Sequence, residues 1–190
     1  MSTIRIESTG SATLDRVNKL LADVPGGVWK ATSSALKRAA GSAKTKAGQF
    51  AAAEYTINKG TFMANTTVKT RVSGGSGGVA GVSISYGGSV LPLLTFNTRF
   101  GKGGNVVTQV KRNGGGATLA HAFVASIFGS TAVFERVGAP RFPVEKLYGP
   151  STGHMMQNEA VIEKMDETIE KTFSERMEHE ILRVLNGWGG

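Results

Sequence analysis

The chain contains no cysteine among its 190 residues. A disulfide framework and a thiolate metal site are therefore excluded. Its three histidines, His121, His154 and His179, are far apart and lack ligand spacing, so no zinc site is indicated. No apolar run approaches the roughly 20 residues of a membrane span. The opening Met-Ser-Thr-Ile-Arg-Ile-Glu has no apolar signal region, which points to a protein made and used in a cytosol, with no membrane partner. Gly101-Lys102-Gly103 does not have P-loop spacing, because no Ser or Thr follows the lysine. No Gly-x-Ser-x-Gly elbow is present. Glu175, Glu178, His179 and Glu180 read as a solvated helix surface. The expectation is a protein without catalytic residues, cofactor or metal.

Hydrophobic residues make up 40% of the chain, enough for a sizeable core. One domain over 1–190 is the natural reading, with a helical half at 1–54, a β-rich half at 55–150 and a terminal helix at 151–190. The net charge of +8 is uneven. Residues 1–158 hold 18 lysines and arginines against 6 acids, and residues 159–190 hold 4 against 8. A basic body with an acidic terminal helix suits nucleic acid or an acidic partner. It also suits contact between the helix of one copy and the body of the next.

Thr3 to Glu7 alternates as a short strand. Leu14, Val17, Leu20, Leu21 and Val24 follow helical spacing, and Pro25-Gly26-Gly27 ends that helix. A second helix spans about 28–54. Nine of residues 31–53 are alanine, so it buries little area per side chain but admits a close partner. Lys30, Lys37, Arg38, Lys44 and Lys46 make its other side basic, either a solvated face or one that lies on phosphates. A short helix near Lys59–Ala64 precedes a strand at Thr66–Arg71. Thirteen of the 26 glycines then fall between Gly74 and Gly116, separating short β-type runs at 79–85, 90–96, 105–111, 118–127 and 131–137. The fold class is α+β: N-terminal helices, a central antiparallel meander with Gly-rich hairpin loops, and a long C-terminal helix. The tips at 73–78, 101–104 and 113–116 are expected to be mobile in the free subunit and ordered in an assembly.

Residues 134–185 organise the rest. Gly138 to Pro150 carries three of the five prolines and cannot be helix interior. From about Gly153 to Asn186 nothing breaks a helix, with N-cap hydroxyls at Ser151 and Thr152 and a stop at Gly187. Val161, Met165, Ile169, Phe173, Met177, Ile181 and Leu185 recur every four residues. Each step overshoots by about 40°, so this row winds around the helix. It either docks on its own domain or reaches a second subunit. Phe142, Val144 and Leu147 are expected to be buried against the helix, with Arg141 paired to an acid or carbonyl. Trp188 is expected to be exposed or docked on a neighbour.

The pattern Arg-x-Gly-x-x-Arg-x-Pro-Val-x-x-Leu-x-Gly-Pro-Ser over Arg136 to Ser151, followed by Met156 and a long charged helix, resembles the bacteriophage minor tail protein Z family. The length and the layout fit as well, although the Gly-rich middle departs most. The resemblance implies a virion structural protein that completes long tails at the head-proximal end. There it would serve head–tail joining and positioning of the DNA end, and it would be assembled in the host cytoplasm. It implies a hexameric ring, with a tail terminator or tail tube protein and a head–tail connector as partners. Interface candidates are Arg136, Arg141, Phe142, Leu147, Tyr148, Met165, Phe173 and Met177. Lysines and arginines facing a lumen or non-specific DNA would be Lys37, Arg38, Lys44, Lys46, Lys102, Lys111 and Arg112. The alternatives are a sequence-independent nucleic-acid-binding protein, or a tail terminator or tube subunit proper.

Overall fold

A computed structural model describes residues 2–7, 11–74, 80–101, 104–127 and 129–187. Lys102, Trp188 and most of the glycine tips at 73–78 and 101–104 lie outside the described residues. The architecture is α+β as expected, with antiparallel sheets between N-terminal helices and a long C-terminal helix. Residue contacts divide the chain into two compact units. One comprises residues 48–67 and 87–161, and the other 2–47, 68–86 and 162–190.

The second unit is mainly helical. Helix α1 (Ser11–Leu20) ends in tight turns through Val24 and Gly26, where Gly26 takes a positive φ of 68° that side-chain-bearing residues avoid. Helix α2 (Gly27–Glu54) starts at once, with Lys30 N–H donating to the Gly26 carbonyl at 3.0 Å. A Cβ on Gly27 would sit 2.9 Å from Val24 and 3.2 Å from Val184, so the turn depends on glycine. Val17 of α1, Leu21 just past its end, Ala31 and Ala35 of α2, and Met177, Ile181 and Val184 form one buried cluster. The last three belong to α5 (Glu159–Leu185), which passes from one unit into the other. Its end follows the glycine stop: Gly187 has φ 74° and donates to the Val184 carbonyl at 3.1 Å.

The same unit holds a three-stranded sheet in the order β1 (Ser2–Glu7), β3 (Ala80–Gly87), β2 (Thr67–Gly74). The central strand buries Val82, Ile84 and Tyr86 on one face at period two. Burial pushes the Tyr86 hydroxyl's pKa well above its ordinary value.

The first unit carries the remaining strands in three small sheets, not one continuous meander. They are β5 (Asn97–Phe100), β6 (Val106–Gln109) and β7 (Ala117–Leu119); β8 (Ala122–Ile127), β9 (Ser130–Arg136) and β10 (Val144–Lys146); and β4 (Val90–Pro92) with β11 (Tyr148–Ser151). Two expected runs are cut. Pro92 lacks an N–H for a ladder, and a 3₁₀ turn at Leu93–Thr95 follows it. A turn at Ala120-His121 splits the run at 118–127. At the tip at 113–116, Gln109 Nε2 donates to both the Arg112 and the Gly114 carbonyls, at 3.1 and 2.9 Å.

The expected unbroken helix over 153–186 is also corrected. Ser151 Oγ accepts from His154 N–H at 3.1 Å and caps only a single turn, α4 (Thr152–Met155). The chain then turns, and Asn158 Oδ1 accepts from Ala160 N–H at 3.1 Å to start α5 afresh. Asparagine competes with the helix for backbone partners, which is why it sits at a cap. Helix α3 (Lys59–Ala64) falls where the sequence places it, with the Asn58 side chain accepting from Gly60 N–H at 2.7 Å.

Candidate functional site

Two kinds of surface stand out, one in each unit. In the first unit, β9 and β10 pair antiparallel with Arg136 opposite Val144, and the loop between them closes by Val137 N–H donating to the Pro143 carbonyl at 3.2 Å. Three cations lie over aromatic rings here: Arg136 over Phe123 at 5.7 Å, Arg141 over Phe142 at 5.8 Å and Lys146 over Tyr148 at 5.6 Å. Such contacts contribute roughly 0.5–1 kcal/mol each at exposed positions and hold both partners outward. A groove of about 580 Å³ opens between Asn105, His121, Phe123, Arg136, Gly138 and Ala139. In the same unit Phe100, Val137, Phe142 and Tyr148 are all more than half exposed. Large apolar side chains left in water beside cations make a surface suited to another macromolecule.

Phe142 was expected to be buried and is 60% exposed. The neighbouring Arg141 guanidinium lies 5.8 Å from its ring centroid, and so meets an aromatic face and not the expected acid or carbonyl. Val144 and Leu147 are only half-buried. Leu147 still anchors the segment through its backbone: its N–H donates to Val133 at 2.9 Å and its carbonyl accepts from Leu93 at 3.1 Å. Gly149 lies flat against the Phe96 ring, which any Cβ at that position would strike. The turn into β11 thus needs glycine for a close approach.

The interface candidates on α5 are relocated. Met165 and Met177 are fully buried and Phe173 packs against the cluster of α1, α2 and α5, so these side chains belong to the subunit's own core. The buried row runs from Val161 to Ile181 and then moves one position, to Val184, leaving Leu185 about half exposed. The shift follows from the winding that a four-residue repeat imposes.

The second surface is charged. Lys30, Lys37, Arg38, Lys44 and Lys46 are all exposed on α2. Arg38 is already committed: its Nε lies 3.4 Å from Glu180 Oε1, while Arg183 Nη1 lies 3.4 Å from Oε2. Glu180 is nearly buried, so this clamp compensates a carboxylate that would otherwise be costly. Arg16 pairs with Glu178 at 2.9 Å in the open. Of the other lumen candidates, Lys111 and Arg112 fall in the first unit. Arg112 Nε donates to the Ala52 carbonyl at 2.7 Å and its N–H to Glu54 at 2.8 Å. It satisfies the carbonyls at the end of α2 and meets the negative pole of that helix. No local signal in the sequence links position 112 to a helix end some 60 residues earlier.

The aromatic–cation rim and the charged helix faces define a contact-making α+β protein. The chain belongs to the prophage minor tail protein Z (GPZ) family, whose profile matches residues 14–187. It is a phage tail structural protein, located in the virion tail and working in contact with other phage structural proteins. That family is consistent with a role other than catalysis. No curated protein and no solved structure matches the chain.

Proposed function

We propose that this protein completes a long phage tail at its head-proximal end, as a hexameric ring between the tail terminator or tube protein and the head–tail connector. In that position it serves head–tail joining and seating of the DNA end. The observation that supports this reading best is the exposure of Val137, Phe142 and Tyr148 in and just after the β9–β10 loop, which also carries Arg136 and Arg141. It falls largely within the motif that resembles the family, and its apolar groups are left for a protein partner.

The test is co-sedimentation with assembled tail tubes. Arg136→Glu combined with Phe142→Ala is expected to abolish binding to tubes, while the variant melts like the parent. Retained binding would overturn the assignment of this rim. A second reading, sequence-independent nucleic-acid binding, is favoured by the lysines of α2. It requires the free subunit to hold duplex DNA with an affinity that falls steeply as salt rises. A subunit that binds tubes but not DNA decides for the structural role.

A further inference from the structure

The helical unit carries two charged faces of opposite sign. On α2, Lys30, Lys37 and Lys44 recur every seven residues, and all three are exposed. A seven-residue step returns to within about 20° of the same direction, so the three ammonium groups share one face at intervals of about 10.5 Å. No acid occurs in residues 27–47 to neutralise them. On α5, Glu163, Asp166, Glu167 and Glu170 stand at i, i+3, i+4 and i+7, also exposed, within an arc of about 100°. Glu163 and Glu170 are separated by the same seven residues as Lys37 and Lys44. Among the described residues no salt bridge reaches any of these seven side chains. Lost hydration, and after it the neighbouring Glu170, hold the Asp166 carboxyl above the usual carboxylate range.

The same helices already use opposite charge to meet, since Arg38 of α2 reaches Glu180 of α5 inside the subunit. Duplex DNA would satisfy the lysine face but would be repelled by the carboxylate face of the same unit. A second copy satisfies both. We propose that the lysine face of α2 is the docking surface for the carboxylate face of α5 from a second copy of this chain. The two faces are different, so the contact is head-to-tail, and a closed ring is its natural product. The inference deepens the ring reading above by naming the surfaces that close it. Because the contact is made by exposed charges, it weakens as salt rises.

The experiment is sedimentation velocity on the full chain at low ionic strength, with two charge-reversed variants. One is Lys37→Glu with Lys44→Glu. The other is Glu163→Lys with Glu167→Lys and Glu170→Lys. Each alone is expected to weaken self-association about tenfold or more while keeping its helical circular dichroism. Mixing the two variants restores complementary contacts on both sides of every subunit, and association is expected to return, with the variants alternating around an even-numbered ring. A wild-type chain that stays monomeric, oligomers that ignore both reversals, or a mixture that fails to recover would each overturn the proposal. So would loss of binding to a short DNA duplex in the lysine variant with self-association unchanged, because the face would then belong to nucleic acid. Tube binding measured on the same variants keeps the two readings apart. Tube binding without self-pairing leaves the tail role standing and removes only this interface.

Discussion

The two long helices of this protein are almost equal in length, 28 residues for α2 and 27 for α5, and they are built on opposite plans. Helix α2 buries alanines: Ala31, Ala35, Ala39, Ala40, Ala43, Ala47 and Ala51 are all essentially inaccessible. Helix α5 buries long side chains, among them Met165, Ile169, Met177 and Ile181. Outward, the first is basic and the second acidic. Small buried groups let neighbouring backbones approach and leave no slack for a larger residue. Long, flexible ones fill a wider gap and supply most of the transfer free energy. The lesson is that one helix fixes distances while the other supplies burial, and the same division recurs in charge on their outer faces.

The comparison is tested most severely on the large side. Met177→Ala, in the cluster shared with α1 and α2, should cost about 2–5 kcal/mol, the lost transfer plus the cavity left behind. Denaturant unfolding should show the drop as a lower midpoint with an unchanged slope. On the alanine side, Ala35→Leu should cost about 1–3 kcal/mol, because the cluster must be pushed apart to admit the added carbons. If Ala35→Leu stabilised the protein, α2 would not be close-packed and the contrast would fail.

Charge comes next. Arg38→Ala removes one of two guanidinium groups from the nearly buried Glu180, and about 1 kcal/mol should be lost at neutral pH, because Arg183 and solvent still serve the carboxylate. Thermal melts read this directly. A loss below the error of the melt would show that the clamp is held by Arg183 alone.

The smallest effect is expected at Asp166. Its carboxyl holds a proton more tightly in the folded state than in the unfolded chain, so its contribution to stability is greatest at acid pH and is lost as pH rises through its folded pKa. Asp166→Asn should therefore raise stability slightly at neutral pH and flatten the dependence through the carboxylate range. A pH profile identical to the parent's would show that the acidic face carries no self-repulsion, and would remove one support for a partner on that face.

Much of this plan was legible in the sequence. The spacing of alanines gave the packed face of α2, the four-residue repeat gave the buried row of α5, and Gly187 gave its end. The break before Glu159 was not legible by scanning for glycine and proline, although Asn158 is a cap residue and was the signal available. The division of the strands into four small sheets was harder still. Strand β4 pairs with β11 and β1 with β3, partners more than 50 residues apart, and nothing local in either strand names its mate. The motif at 136–151 was legible as a place and misread as a core. Phe142 looks like a buried residue by type, but it stands 60% exposed with the Arg141 guanidinium near its ring face. The segment therefore lies at the surface and not in the core.

The proposed role of this chain is to join heads to tails. Electron micrographs of lysates from a phage whose copy of this gene is deleted, with and without the protein supplied in trans, test it most directly. Filled heads and complete tails lying apart without the protein, and joined, infectious particles with it, are the result predicted here. Normally joined virions in its absence would contradict that role.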